Sequence, residues 1–527
     1  MSTFQGLELA RKALFAQQGA LYTTGHNIAN VNTYGYSRQR VNFETTTPFP
    51  NPSRGMPNRA GQMGTGVEIG TIQRLRDQFL DFQFRTENST LGYWEKKQEA
   101  VTRMEQVLNE PSENGLAKTM DRFWQSLQDL ADNPDNSGAR SVVAHRGLAL
   151  AETFNHLSKS MQSIQSDLKD QIDVSVKDMN SLLKQINELN KQIQKVEPHG
   201  MLANDLYDER DRLIDKLSDY MNIKVHRTPS SESSLEIADG LVSIEILDSR
   251  GNSLSPDGVF LIDARSGKDL DSAVNEISVQ PGANEKGPIT SVSIAGQELE
   301  NLDILKSDGS FSALIESYGY EENGVVKGLY PEMLAELDKM AREFANEFNR
   351  VHHGGKHLEE DNDGNGSKFF VNKANQEDND YKNSTDRDES ITAENITINI
   401  DILENENLIA AGDPDKGSQN GDNAHALADV FDQSLDGLGN TSARKFYASL
   451  IGDLGVKGQE ARKMKESTEI IQAQIDFSRM SVSAVSLDEE ISNLIKFQHA
   501  YNAAARNMTA IDEMIDRIIN QLGLVGR

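Results

Sequence analysis

Two amphipathic stripes, one at each end of the chain, constrain the fold more than anything between them. At the N-terminus Leu7, Leu14, Leu21 and Ile28 recur every seven residues, with Ala10, Gln17, Thr24 and Val31 at the alternate heptad positions. A polar stripe, Thr23, Asn27 and Asn30, runs beside them at helical spacing. At the C-terminus the series is Leu487, Leu494, Tyr501, Met508, Ile515 and Leu522. Its alternate positions are Glu490, Phe497, Ala504, Ile511, Ile518 and Val525, apolar in all but the first. A helix with so narrow an apolar stripe cannot bury itself alone. Each end needs a partner, and the other end supplies one. The spacing predicts terminal helices paired as a coiled coil, the first ending near Asn32, where Gly35 can take the left-handed cap conformation.

Between the two ends the periodicity is mostly helical. Pro111 and Pro134 divide the stretch after Asp77 into helices near 77–109, 114–131 and 137–197. Leu168, Ile172, Ser175, Met179, Leu182, Ile186, Leu189, Ile193 and Val196 alternate by four and three, and Pro198-His199-Gly200 stops them. Residues 41–63, with four prolines, read as an extended linker. Residues 226–325 change to period two at Val242, Ile244 and Ile246, then Ile277 and Val279, then Val292 and Ile294, which predicts a β-rich insertion. Helix resumes near Pro331 with the stripe Met333, Leu334, Leu337, Met340, Phe344 and Phe348. Residues 352–390 are acidic and poor in apolar side chains, and Ile396, Ile398, Ile400 and Ile402 alternate as a strand. Beyond Asp415 there is no proline, so long helices are expected near 422–433, 441–483 and 487–522.

Composition excludes several classes. A chain of 527 residues needs more than one core. A net charge of −29 opposes nucleic-acid binding, which requires a basic footprint. It also repels anionic membranes, and no 18-residue apolar run is present to insert into one. With no cysteine, disulfides and thiolate chemistry are excluded. No basic segment followed by an apolar run marks a cleavable secretory signal in the first 30 residues.

The chemical motifs dissolve on inspection. Gly64-Thr65-Gly66 with Gly70 fails the dinucleotide spacing by one residue. Asp361-Asn362-Asp363-Gly364-Asn365-Gly366 matches the first half of a calcium loop, but position twelve is Asn372 where a bidentate Glu belongs. His353 and His357, with His352 adjacent, have the spacing of a transition-metal pair, yet Gly354-Gly355 opposes the helix that would align them. Asp205, Asp208, Glu209 and Asp211 are interleaved with Arg210 and Arg212, which reads as surface ion pairing on a helix. No nucleophile elbow, His-Glu-x-x-His motif or phosphate loop is present. The expectation is a non-enzyme with no cofactor and no metal site.

The run from Asn27 to Gln39 resembles the N-terminal signature of the bacterial flagellar axial proteins, the rod, hook and hook-associated proteins. Leu487-Asp488-Glu489-Glu490, Gln498 to Arg506 and Asp512-Glu513-Met514 resemble their C-terminal signature. Tyr36-Ser37-Arg38-Gln39 and the chain length look most like the hook-associated members, as do Met120–Val143 and Asp208–Asp211. The family often has Pro at the position of Tyr34, so the helix stop is softer here.

The resemblance implies a structural adaptor joining hook to filament. It would be exported through the flagellar type III apparatus without a cleaved signal and located in the extracellular flagellum. The implied partners are the hook protein, a second junction protein, further copies in an axial ring, and an export chaperone on the C-terminal helix. The implied organisation is a terminal axial coiled coil (1–62 and 484–527), an elongated helical rod domain (63–225 and 326–483) with an acidic excursion near 355–440, and a β-rich outer domain (226–325). The residues expected to carry axial interaction are Leu7, Leu14, Leu21, Asn27, Ile28, Asn30 and Val31, and Leu487, Leu494, Phe497, Tyr501, Met508, Ile511, Ile515, Ile518 and Leu522. A hook or distal rod protein, a calcium-binding extracellular protein and a cytosolic coiled-coil scaffold are the alternatives.

Overall fold

The computed structural model describes residues 3–49, 63–108, 110, 112–113, 115–265, 269–282, 287–294, 297–298, 305–359 and 366–521. Helix α1 (Thr3–Ala29) is followed by strands β1 (Gln39–Thr45) and β2 (Val67–Arg74). Helices α2 (Gln78–Leu108), α3 (Leu116–Asp132), α4 (Ser137–Val196) and α5 (Asn204–Tyr220) come next. Then come β3 (Ile223–Thr228), β4 (Leu241–Ile246), β5 (Val259–Ile262), β6 (Ile277–Pro281), β7 (Ile289–Ile294) and β8 (Gln297–Glu298). Helix α6 (Ser310–Tyr318), the hairpin β9 (Tyr320–Glu322) and β10 (Val325–Lys327), and α7 (Leu329–Gly354) follow. The chain continues through β11 (Phe370–Asn372), α8 (Asn379–Asn383), β12 (Ile396–Ile398), α9 (Ile400–Glu404) and α10 (Asp422–Asp429). The long helices α11 (Ala443–Ser483) and α12 (Leu487–Asp516) are the last.

The architecture is mainly α with small β insertions, and proline and glycine set the helix ends as expected. Helix α4 runs 60 residues and stops where Gly200 takes φ 73° and donates its N–H to Glu197 O at 2.9 Å. Three details differ from expectation. The stretch read as linker begins as a strand, because Val41 and Phe43 pair across to Ile72 and Ile69 of β2. The isoleucine run 396–402 is strand only to Ile398, because the Asn399 side chain accepts from Asp401 N–H and caps a helical turn. The stretch 226–325 supplies strands to two separate sheets, β3-β4-β5 and β10-β9-β7-β6 with β8 on β7.

The chain divides into two units, and α2, α4 and α11 contribute residues to both. The first unit gathers three separate segments, Met1–Ser89, Met179–Glu276 and Glu469–Arg527. It contains α1, α12, α5, the β1–β2 hairpin and the sheet β3-β4-β5. Strand β4 is buried along its whole length, and Asn190 of α4 clasps it by donating to Val242 O (2.9 Å) and accepting from Val242 N (3.2 Å).

The second unit, Thr90–Asp178 and Ile277–Thr468, is built on phenylalanines. Phe123 lies 5.5–6.0 Å from Phe348, Phe369, Phe370 and Phe431, and Phe344 lies 4.9 Å from Phe431. All are buried, and such contacts, stacked with Phe369, tilted with Phe348 and edge to face in the others, add to the area they remove from water. Helix α7 also holds the polar excursion in place. Asn349 accepts from the N–H groups of Phe369 and Phe370 (2.8 Å each) and donates to Phe370 O (2.7 Å).

Candidate assembly surface

Helices α1 and α12 lie antiparallel. The start of α1 meets the end of α12 at Gly6, whose position would put a Cβ 3.2 Å from Ile511 Cδ1. The end of α1 meets the start of α12 at Asn27, which donates to Glu490 Oε2 at 3.1 Å. On α12 the expected face is the inner one. Leu494, Phe497, Tyr501, Met508, Ile511 and Ile515 are half-buried, and the rings of Phe497 and Phe43 meet edge to face at 6.0 Å. Leu487 and Ile518 are exposed instead, because they lie at the two ends of the helix and the last turn, Arg517–Gln521, loosens to π geometry. Leu522 lies outside the described residues.

On α1 the alternate heptad positions Ala10 and Thr24 and the polar-stripe residues Thr23 and Asn27 are buried more deeply than the large apolar residues. Leu7, Leu14, Leu21, Ile28, Asn30 and Val31 are only half-buried. The fully buried side chains are Ala10, Ala16, Ala20, Thr23, Thr24 and Asn27. Small residues win this face because the neighbours approach closely: a Cβ on Gly19 would stand 2.3 Å from Ile69 Cδ1 of β2. A search for large apolar residues therefore misses it.

The turn after α1 is fixed by Asn27. Its side chain accepts from Gln39 N (3.0 Å) and Tyr36 OH (2.8 Å), and donates to Gln39 O (2.8 Å) as well as to Glu490. Gly35 takes φ 81° within the turn. Arg38 donates from Nε to Glu490 Oε1 at 2.7 Å, pairs with Glu489, and joins its backbone N–H to Ser483 O at 2.8 Å. The N-terminal and C-terminal signatures are thus one hydrogen-bonded knot. Burial, then Asp205, Asp208 and Glu490, push the Tyr36 hydroxyl up, so it remains a donor.

Beneath this turn the α5 cluster is divided: Asp205 is exposed and Glu209 pairs with Arg212 at the surface, as the alternating charges suggest, but Asp208, Arg210 and Asp211 are buried. Asp211 is fully buried and pairs with Arg74 (2.6 Å) and Arg85 (3.1 Å), with Arg76 and Arg227 each 3.7 Å away. Asp208 pairs with Arg74 (2.9 Å) and accepts from Ser37 N (2.9 Å). Asp215 binds Arg85 and Arg479, each at 2.7 Å, and Asp81 binds Arg76 at 2.7 Å. Asp239 pairs with Arg74 and, at 2.6 Å, with Arg227. With Arg210 4.0 Å from Asp239 and Asp476 3.2 Å from Arg479, six arginines face six aspartates, drawn from all three segments of the first unit. Burial alone would push Asp211 up, but Arg76, Arg74, Arg85 and Arg227 together hold it well below the usual carboxylate range. For Asp208 burial outweighs Arg74, and its carboxyl is pushed up. Burial lowers Arg210 to about 10 while it donates to Asn190 Oδ1 and Gly240 O.

The outward faces carry large apolar side chains among polar ones. Phe4, Phe15 and Tyr22 on α1 are 64%, 62% and 76% exposed. Spaced by eleven and seven residues, they share one helical face, since eighteen residues make five turns. Ile491 and Ile495 on α12, and Ile470 and Phe477 on α11, are exposed as well. The metal readings find no such arrangement. Both ring nitrogens of His352 are engaged, Nδ1 with Ser367 O (2.6 Å) and Nε2 with Ala410 N (3.0 Å), and burial lowers its pKa to about 4. Among the described residues no group of three His, Asp or Glu is placed to hold a metal, and residues 361–365 of the calcium-like loop lie outside them. Among the described residues, too, no helix is long and apolar enough to cross a membrane.

Paired terminal helices with half-open seams, tied by matching signature residues, define a protein of the flagellar axial class. Three family models match: the flagellar hook-associated protein FlgK helical domain over residues 101–370, the flagellar basal body rod FlgEFG protein C-terminal over 478–522, and the flagella basal body rod protein over 7–36. Flagellar hook-associated protein 1 of Bacillus subtilis (strain 168) is 44% identical over the full length of both chains. That of Escherichia coli (strain K12) is 23% identical, covering 97% of this chain and 98% of its own. The hook junction protein FlgK from Burkholderia pseudomallei shares the fold with a TM-score of 0.58 at 13% identity, over 76% of this chain and all of that one. The chain belongs to the family of flagellar hook-associated protein 1.

Proposed function

We propose that the protein is a structural adaptor that joins the flagellar hook to the filament, assembled through its terminal helices. The observation that carries this reading is the outward stripe Phe4, Phe15 and Tyr22 on a helix pair whose own seam is only half-buried. An isolated two-helix pair gains by covering such surface, and further copies packed around an axis cover it on every subunit at once. The terminal segments, 1–62 and 484–527, are the axial element. The hook protein and a second junction protein are its neighbours along the axis. An export chaperone covers the α12 seam before the chain leaves the cell by the type III route.

Electron microscopy of purified hook fragments incubated with the protein tests this. A discrete layer should appear at the distal end of the hook, and deleting residues 487–527 or introducing Leu494→Asp should abolish it. Hooks that stay bare with the intact chain, or a Leu494→Asp variant that still adds the layer, would overturn the reading.

A further inference from the structure

The tip of the β9–β10 hairpin holds a reactive pair. Glu322 and Val325 are paired across a two-residue turn made by Asn323 and Gly324, with φ 54° and 77°. Asn323 is exposed, and among the described residues its carboxamide makes no hydrogen bond. A Cβ at Gly324 would meet nothing within 4 Å, and among the described residues its N–H donates to no backbone acceptor. A free amide nitrogen therefore adjoins a free side-chain carbonyl, with no side chain between them. The flanking strands are three residues each, and β10 is the edge of its sheet. Such an edge opens locally at low free energy, which supplies the backbone rotation that brings the two atoms together.

The same dipeptide occurs at Asn420-Gly421 in a locked setting. Asn420 Oδ1 accepts from Asp413 N (2.9 Å) and Asp422 N (3.2 Å), and its amide donates to Gly417 O (2.9 Å). Gly421 is pressed against the Ala131 backbone, 1.9 Å from where a Cβ would stand. Asn114 and Asn365 precede the other two Asn-Gly glycines and lie outside the described residues.

We propose that Asn323 is a site of spontaneous deamidation and isoaspartate formation. Gly324 N attacks Asn323 Cγ, the Cγ–NH2 bond breaks, and ammonia leaves with the proton lost from the attacking amide. Water then opens the cyclic imide. Cleavage at Cγ–N gives aspartate, and cleavage at the main-chain carbonyl gives isoaspartate, with no change of oxidation state. Either product puts a carboxylate beside Glu321 and Glu322. The isoaspartate also lengthens the main chain by one carbon inside a two-residue turn, which breaks the Glu322–Val325 register.

The test is to hold the native full-length protein at mildly alkaline pH and map its tryptic peptides by mass, with an isoaspartate assay. The peptide 307–327 should gain the mass of NH2 replaced by OH several-fold faster than the peptide 417–444. In urea the two rates should converge. Asn323→Gln, which would need a larger ring, should lose the conversion of 307–327 while leaving the hairpin paired. Equal native rates for the two peptides, or conversion of 307–327 only in urea, would overturn the proposal.

Discussion

The two units invert each other's burial. The second keeps aromatic rings inside, with Phe123, Phe344, Phe348, Phe369, Phe370 and Phe431 in one cluster. The first keeps charges inside, with Asp211 at the centre of four guanidinium groups, and leaves Phe4, Phe15 and Tyr22 outside. Apolar packing is strong but non-directional, and it suits a unit that only has to be stable. Buried ion pairs add little net stability, and here they join three distant segments while Phe4, Phe15 and Tyr22 stay exposed.

The sharpest way to break this contrast is to remove the central charge. Asp211→Asn removes the counter-charge that Arg74, Arg76, Arg85 and Arg227 share, leaves one positive charge of the buried set unbalanced, and should destabilise the first unit by about 3–5 kcal/mol. Hydrogen exchange should speed in α5 and leave α7 of the second unit unchanged. If α5 stayed protected, the charges would not be holding the segments together.

Acid should separate the units in the order of their buried groups. His352 is neutral in the fold with a pKa of about 4 against 6.5 in the unfolded chain. Its contribution, up to about 3 kcal/mol, is complete above the higher value and is lost as pH falls toward the lower one. Asp211 and Asp215, both lowered, hold their contribution through that window and lose it only in stronger acid. Urea titrations from neutral pH to pH 4 should show the second unit weakening first, and His352→Gln should flatten that slope. A first unit that weakened earlier would reverse the comparison.

Asn27→Ala should cost about 1–3 kcal/mol, because Gln39 and Glu490 each lose a buried partner. Thermal melts followed at the termini would read this. Phe15→Ser with Tyr22→Ser should change the monomer's stability by under about 0.5 kcal/mol per site yet remove the added layer on hooks. A monomer melting well below the parent would mean these rings already have partners within the chain.

Much of this was legible in the sequence, and the exceptions share a cause. Helix ends at Gly200 and Asp132, and the stripe Met333 to Phe348, follow from local rules that act over a few residues. On α12 heptad spacing picked out the half-buried Leu494, Phe497, Tyr501, Met508, Ile511 and Ile515 but also the exposed Leu487 and Ile518. On α1 the spacing picked out Ala10, Thr24 and Asn27 but not Ala16 and Ala20, which are buried by what approaches them and stand outside the heptad. Alternating Asp and Arg on α5 look alike on a surface and in a core. Only Arg74, Arg76, Arg85 and Arg479, far off in the chain, decide between the two, and nothing in their spacing points to Asp211. The isoleucine run at 396–402 misled for a local reason, since one capping asparagine outweighed the alternation.

The Asn27–Glu490 bond spans 463 residues of chain. Closing a loop of that length from an open coil costs on the order of 5 kcal/mol in chain entropy before any contact repays it. The second unit lies wholly inside that loop and is complete at Thr468. A chain delivered N-terminus first can therefore finish the second unit early, which shortens the flexible path between the ends. The first unit has no such option, because its closing residues are the last to arrive. The knot at Asn27 can therefore close only after Glu490 has followed the second unit.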